Sequence, residues 1–320
     1  MGRPISVSSI EAFLRCPYFW YMRYILGYKE YITYPLLCGK EVHEFIAFME
    51  RRRPKDGGRP YFYKSLETAQ KAWFLRWKNA LTIHDSIFLN KNVEEGRKYS
   101  AIGWKCISNY WESMENKDKS ISIEYRSTQR IFGFKFITVM DQIRPIPVDK
   151  IQKIRPDLVS DGILDRNYGP FIILDLKTHR GNWMPPVNAS HEYKMASLYH
   201  LSGSLQAIAY TEAFFQIHHV WPVAFVYYLL SENKFYYVFC ESDESKKILV
   251  DSLSYFSNGI NTGEFPKIPG NNCKICTLSR CCANSNVIVS DPELGTQILI
   301  DGVQPTTVRG KVCKQKRFRF

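Results

Sequence analysis

The segment Phe171–Thr178, FIILDLKT, constrains the fold more than any other part of the chain. It is an apolar run of strand length that ends in charge. Because successive strand residues point to opposite faces, an unbroken apolar run is covered on both sides, as in an interior strand packed between helices. Asp175 and Lys177 stand at i and i+2 at its end and point to one face. Two ionisable groups following a buried strand need a metal, a partner or a substrate to offset their desolvation. Asp-x-Lys by itself is a short pattern that an ordinary solvated strand end also satisfies.

The rest of the chain suits such a sheet. Ser9–Tyr28 is predicted as an aromatic-rich helix, with Ser8 or Ser9 as N-cap and Glu11 in its first turn. Gly39–Arg53 is predicted as a second helix, stopped by Pro54. Residues 54–60 are a turn, and two or three helices follow between Ser65 and Met114, where Trp73, Phe74, Trp77, Trp104, Ile107 and Trp111 recur at helical spacing. The pattern then becomes β. Ile121–Ile131 and Phe134–Ile143 alternate around a turn at Gly133. A proline-containing connection over 144–170, with a short helix near Lys150, leads into Phe171–Thr178. A helix over Glu192–Ile217, strands Val223–Leu230 and Lys234–Cys240, and a helix over Ser245–Phe256 complete the order, which predicts an α/β fold with a mixed sheet. The tail 284–320 has no clear periodicity.

Composition narrows the function classes. Hydrophobic residues make up 45 % of the 320, enough for a sizeable core. The formal net charge of +12 favours a polyanionic partner, although a basic surface also serves solubility. Glu11, Arg15, Arg23, Lys29 and Glu30 interrupt the apolar residues of the first thirty, and no apolar run reaches membrane-spanning length. A soluble, intracellular protein without a membrane partner is expected. Nine cysteines in a reducing compartment suit a metal or cluster site better than disulfides.

Cys273-x2-Cys276-x5-Cys282 supplies three thiolates, an incomplete set for a tetrahedral metal or a cluster. Cys16 is the candidate fourth. Cys281 is an alternative to Cys282, and a structural zinc is the alternative occupant. Cys38, Cys106, Cys240 and Cys313 have the character of small apolar residues. At the strand end, a hard divalent cation needs more oxygen than Asp175 offers. Asp141, in FKFITVMDQI, and Asp165, in DGILDRNYGP, are the two candidates for a second carboxylate. Only ten residues separate Asp165 from Asp175, so a hairpin sets them opposite each other only by turning at Pro170. Asp141 has a long connection and a free register.

These segments together resemble the RecB-like PD-(D/E)XK nucleases that carry an iron–sulfur cluster, which include CRISPR-associated RecB-type exonucleases and the AddB helicase–nuclease subunit. Ser9-Ile10-Glu11-Ala12-Phe13-Leu14-Arg15-Cys16-Pro17-Tyr18-Phe19 is similar to the family's N-terminal serine…cysteine-proline segment. Gly39-Lys40-Glu41-Val42-His43 is similar to the motif whose histidine becomes a metal ligand. Glu124 and then VMDQI resemble the second strand, with Asp141 as motif aspartate. Thr138 stands where the family has glycine, whereas Gly162-x-x-Asp165 keeps one. Asp175-Leu176-Lys177 looks like the (D/E)XK signature, and Gln206-x3-Tyr210 like the helical motif after it. The trio Cys273, Cys276 and Cys282 matches the cluster's C-terminal ligands.

The resemblance implies a restriction-endonuclease-like core over 1–283, with a helical insertion at 50–120, a cysteine cluster at 273–282 closing with Cys16, and an extension of unassigned role at 284–320. It implies Mg²⁺ or Mn²⁺ on His43, Asp141 (or Asp165), Asp175 and the Leu176 carbonyl. Lys177 becomes the catalytic lysine, supported by Gln206 and Tyr210, and a [4Fe–4S] cluster occupies the cysteines. The expected activity is hydrolysis of DNA phosphodiester bonds. An exonuclease on single-stranded DNA or DNA ends is expected, in recombination, repair or replication, with a helicase or recombination protein as candidate partner. The competing classes are an idle DNA-binding or scaffold subunit of a helicase–nuclease complex and a zinc-stabilised RNA-processing nuclease.

Overall fold

The computed structural model describes residues 5–28, 32–54, 58–60, 62–84, 92–114, 119–164, 166–179, 204–270, 273, 276–278, 282, 296–297 and 307–308. Its contacts divide the chain into two compact units, one of residues 1–31, 128–137 and 247–320, the other of residues 32–127 and 138–246.

The second unit carries the sheet on which the site is built. Strand β2 (Ser122–Ile131) enters from it and β3 (Phe134–Pro145) returns to it. Strand β4 (Tyr168–Lys177) pairs antiparallel with β3 and parallel with β5 (Trp221–Leu229), and β5 pairs antiparallel with β6 (Lys234–Val238). Parallel and antiparallel neighbours make the sheet mixed, as the order of elements predicts. Strand β4 is interior, flanked by β3 and β5, and Ile173, Leu174, Asp175 and Leu176 are all buried.

Helix α3 (Tyr34–Arg51) begins five residues before the predicted start, because Thr33 in extended backbone and Pro35 in the first turn already allow a helix there. Its apolar stripe, Leu37, Val42, Phe45, Ile46 and Met49, joins a core with Leu174, Leu176, Val226 and Tyr228 from the sheet. Helices α4 (Leu66–Ile83) and α5 (Val93–Met114) add Trp73, Trp77, Ile107 and Tyr110 to the same core. Ser65 caps α4 by accepting from the Thr68 N–H. Short helices α6 (Val148–Ile154) and α7 (Pro156–Ser160) lie between β3 and β4. Helix α8 (Leu205–His218) connects to β5. Residues 192–203 of the predicted helix lie outside the described residues.

In the first unit, β1 (Ile5–Ser6) pairs parallel with Phe136 and Ile137 of β3. Helix α1 (Val7–Arg15) starts earlier than predicted: Ser6, not Ser8 or Ser9, is the N-cap, and no acidic residue occupies the first turn. Three serines in four residues can each cap, and the pairing of β1 decides among them by holding Ser6 extended. Helix α2 (Pro17–Trp20) and a π-helical turn (Tyr21–Ile25) follow Cys16, in place of one continuous helix. Most of α9 (Asp243–Thr262), longer than predicted, belongs here. Phe13, Trp20, Phe256 and Phe265 form its aromatic centre, with Phe13 edge-on to Phe256 and Trp20 stacked on Phe265. A two-stranded pair, β7 (Thr296–Gln297) and β8 (Thr307–Val308), lies in the tail. Among the described residues no helix is long and apolar enough to cross a membrane.

Candidate active site

Strand register builds the first half of the site. The β3–β4 ladder runs from Pro145↔Phe171 to Gln142↔Leu174 and stops. The next step in that register sets Asp141 across from Asp175, so both carboxylates occupy one face. The Leu176 N–H donates to Asp141 Oδ2 at 2.8 Å instead of continuing the ladder. Asp175 is 4 % exposed. Lys177, two residues on, brings Nζ to 2.8 Å from Asp175 Oδ2. The Lys177 ammonium thus partners the buried Asp175 Oδ2, and a carboxylate oxygen has a second lone pair beyond it.

Two helices complete the arrangement. From α8, Gln206 Nε2 donates to Asp175 Oδ1 at 2.6 Å, and Gln206 Oε1 accepts from Lys177 Nζ at 3.1 Å. The lysine can only donate and the ionised carboxylate only accept, which fixes the orientation of this amide. Tyr210, one turn further along α8, packs edge-on against Phe225. Burial, followed by the Asp175 charge, pushes its hydroxyl up to about 12, which keeps it a neutral donor. From α3, His43 Nδ1 lies 3.4 Å from Asp141 Oδ2.

The electrostatics separate the two carboxylates. Burial raises the Asp175 carboxyl above its usual value, and the Asp141 charge adds to that against the pull of Lys177. Burial also pushes Asp141 up, but the His43 charge and hydrogen bond, the Leu176 N–H and Lys177 together bring it below its usual value. His43 is pushed down by burial and then carried above its usual value by Asp141 and Asp175. The histidine and lysine thus face two carboxylates, and burial keeps the Asp175 carboxyl raised despite Lys177.

The profile of the PD-(D/E)XK nuclease superfamily matches residues 4–283. The chain belongs to this superfamily. No curated protein matches it. As a PD-(D/E)XK protein it is a metal-dependent nuclease, a phosphodiester hydrolase acting on nucleic acid, and superfamily members generally use Mg²⁺ or Mn²⁺. Imidazole and carboxylate are donors for such hard or borderline cations, and the buried Asp175 Oδ2 keeps a second lone pair beyond its Lys177 partner. Among the described residues no three His, Cys, Asp or Glu side chains already form a metal cage.

The other PD-(D/E)XK candidates divide by position. Asp165 lies outside the described residues. Thr138, in place of glycine, is buried and pairs with Ser127 at 2.7 Å across β2 and β3, so the side chain has a structural partner. The structure adds the Leu176 N–H, which the sequence did not single out because backbone donors leave no residue signature.

Cys16, Cys273, Cys276 and Cys282 all belong to the first unit. Cys16 stands between α1 and α2, where Pro17 opens the new helix. Burial raises the Cys276 thiol, and the charges of Cys16 and Cys273 add to this; Arg15 opposes it. Burial raises Cys282 likewise, Lys267 opposes it, and Cys16, Cys276 and Cys273 raise it further. Cys276 and Cys282 thus each feel the charges of Cys16 and Cys273, and among the described residues the thiols form no group that could hold a metal. Cys281 and Cys313 lie outside those residues. Cys38, Cys106 and Cys240 are buried, and burial pushes the Cys38 and Cys106 thiols up to about 12, as expected of inert core cysteines.

Proposed function

We propose that the protein hydrolyses DNA phosphodiester bonds, as an exonuclease on single-stranded DNA or DNA ends. The observation that carries the catalytic part is the meeting of His43 with Asp141, and of Lys177 and Gln206 with the buried Asp175, at one end of the β3–β4 pair. His43, Asp141, Asp175 and the Leu176 carbonyl would hold Mg²⁺ or Mn²⁺, which when bound polarises phosphate and acidifies water. Lys177 orients the attacking water and stabilises charge developing on the phosphate. Gln206 holds Lys177 and Asp175 in one geometry through its two polar atoms. Tyr210, a neutral donor beside them, supports the lysine or a phosphate oxygen. The net charge of +12 suits a nucleic-acid backbone, and the absence of an obvious base-reading segment suits backbone tracking over sequence recognition.

The four cysteines hold a [4Fe–4S] cluster in this reading, supported by their shared neighbourhood in one unit. A helicase or recombination partner would deliver the DNA end. The test is cleavage of end-labelled single- and double-stranded DNA, and of RNA, with Mg²⁺, Mn²⁺ or EDTA. Metal-dependent release of nucleotides from DNA ends is expected. Cleavage of RNA alone moves the substrate to RNA, and no cleavage with any metal leaves a DNA-binding subunit whose centre is idle.

A further inference from the structure

One buried polar cluster in the second unit has no part in the proposed chemistry. Glu50, near the C-terminal end of α3, is 0 % exposed. Arg53 Nη1 donates to both its oxygens, at 2.9 and 3.1 Å. The Ser120 N–H donates to Oε1 at 2.9 Å, and the Tyr110 hydroxyl of α5 donates to Oε2 at 2.9 Å. Arg144 of β3 adds an ion pair at 3.5 Å. The same arginine donates from Nε to Gln142 Oε1 at 2.8 Å and from Nη2 to the Tyr110 oxygen at 2.6 Å. Gln142 Nε2 donates to that oxygen at 2.7 Å, so Tyr110 gives its one proton and uses both lone pairs.

Stability does not account for this cluster. A buried ion pair loses about as much in desolvation as it gains in attraction, and apolar side chains of similar volume are often as good or better. What the cluster adds is direction. Apolar packing of α3 on the sheet tolerates sliding, whereas a buried network of directional hydrogen bonds does not. The position of the cluster shows what is held. Glu50 lies seven residues from His43 on α3, two turns along the same side, about 10 Å away. Gln142 and Arg144 lie one and three residues from Asp141 on β3. The cluster therefore joins the two elements that bring His43 to 3.4 Å from Asp141.

We propose that Glu50 and Arg144 are positioning residues, whose buried network sets the register of α3 on β3 and thereby the approach of His43 to Asp141. The proposal rests on the reading that His43 and Asp141 hold the cation. Its test is Mn²⁺ binding to the full-length protein without DNA, read from the EPR signal of free Mn²⁺ beside a thermal melt. The paired variant Glu50→Leu/Arg144→Met leaves the net charge unchanged, but it takes the acceptor from the buried Arg53 guanidinium, the Ser120 N–H and the Tyr110 hydroxyl. It is expected to melt lower than the parent, because Arg53 loses its carboxylate, and where folded to bind Mn²⁺ about tenfold more weakly, the scale on which groups supporting metal ligands act. A folded paired variant that binds within twofold of the parent overturns the proposal. If that variant does not fold, Arg144→Lys, which keeps the charge but loses the forked donation to Gln142 and Tyr110, is judged by the same affinity threshold. Asp141→Asn separates the two claims: parental Mn²⁺ affinity in this variant removes the metal reading itself, whereas weakened binding there with parental binding in the paired variant removes only the positioning role.

Discussion

At the residue scale, Asp175 and Lys177 depend on each other. The carboxylate is almost fully buried and the ammonium only partly, so neither is a spare surface charge. In the proposed mechanism, removing Lys177 deletes one preorganised charge at the reacting phosphate, a change worth roughly 10²–10³ in rate. Lys177→Ala and Asp175→Ala are each expected to lower cleavage of end-labelled DNA by at least that factor, with circular dichroism and cooperative melting retained. Cleavage within tenfold of the parent in both would refute the assignment. For the second carboxylate, Asp141→Ala is expected to be inactive and Asp165→Ala active, because β3 and β4 set Asp141 across from Asp175. The opposite pair of results moves the ligand to Asp165.

At the scale of elements, helix α5 has a groove for helix α4. Trp73 and Trp77, one turn apart on α4, donate their indole N–H groups to the carbonyls of Ser100 and Gly96. A Cβ on Gly103 would lie 2.2 Å from the Trp73 ring, far inside contact distance, and that ring is fully buried and hydrogen-bonded. Gly103→Ala gains about 1 kcal/mol of helix propensity. It must also displace a tryptophan that anchors the core beneath α3, an overpacking cost of about 1–3 kcal/mol. We expect a lower urea midpoint for Gly103→Ala, with the slope unchanged. An equal or higher midpoint would mean that α4 shifts freely and that the groove has no packing role.

At the scale of the molecule, the buried Glu50 network and the cysteine group each tie stability to conditions. Burial pushes the Glu50 carboxyl up, but Arg144, Arg53, the Ser120 N–H and Tyr110 together bring it below its ordinary value. A carboxyl with a depressed folded pKa contributes stability above its unfolded pKa and loses it as pH falls through the folded one. The fold should therefore weaken progressively below about pH 4.5, near the ordinary glutamate value, and the acid limb should be shallower in Glu50→Leu/Arg144→Met. Melting curves from pH 7 to pH 3 test this, and parallel acid limbs in parent and variant would refute it. The cysteines act over a longer span. Cys16 and Cys273 are 257 residues apart (273 − 16), and a centre joining them restricts the unfolded chain and adds its own binding energy to folding. Anaerobic protein with the cluster should be brown, with about four irons and four sulfides per chain. Cys16→Ser should lose colour and melting temperature together. One tightly bound zinc in colourless protein would replace the cluster, and unchanged metal content in Cys16→Ser would remove Cys16 from the site.

What the sequence determined by itself is local. FIILDLKT reads as an interior strand because covering both faces requires an unbroken apolar run, and β4 is such a strand. The alternation around Gly133 reads as a hairpin, and Gly133 takes φ +84° at that turn. Ser65 reads as a helix start because its side chain reaches only its own next turn. The serines before α1 show the limit: each could cap, and only the pairing of Ile5–Ser6 with β3 selects Ser6. Tertiary structure alone decided what meets across the chain. Period-two alternation carries no information about which residue lies opposite, so the step from Gln142↔Leu174 to Asp141 and Asp175 needs the pairing itself. Glu50 reads as one more charge near a helix end, and burial at 0 % is tolerable only because Arg53, Tyr110, Ser120 and Arg144 converge on it from other segments. Hydrophobic period and capping are properties of a few neighbouring residues, whereas desolvated charge is stabilised by partners that only the folded chain brings within 3 Å or so.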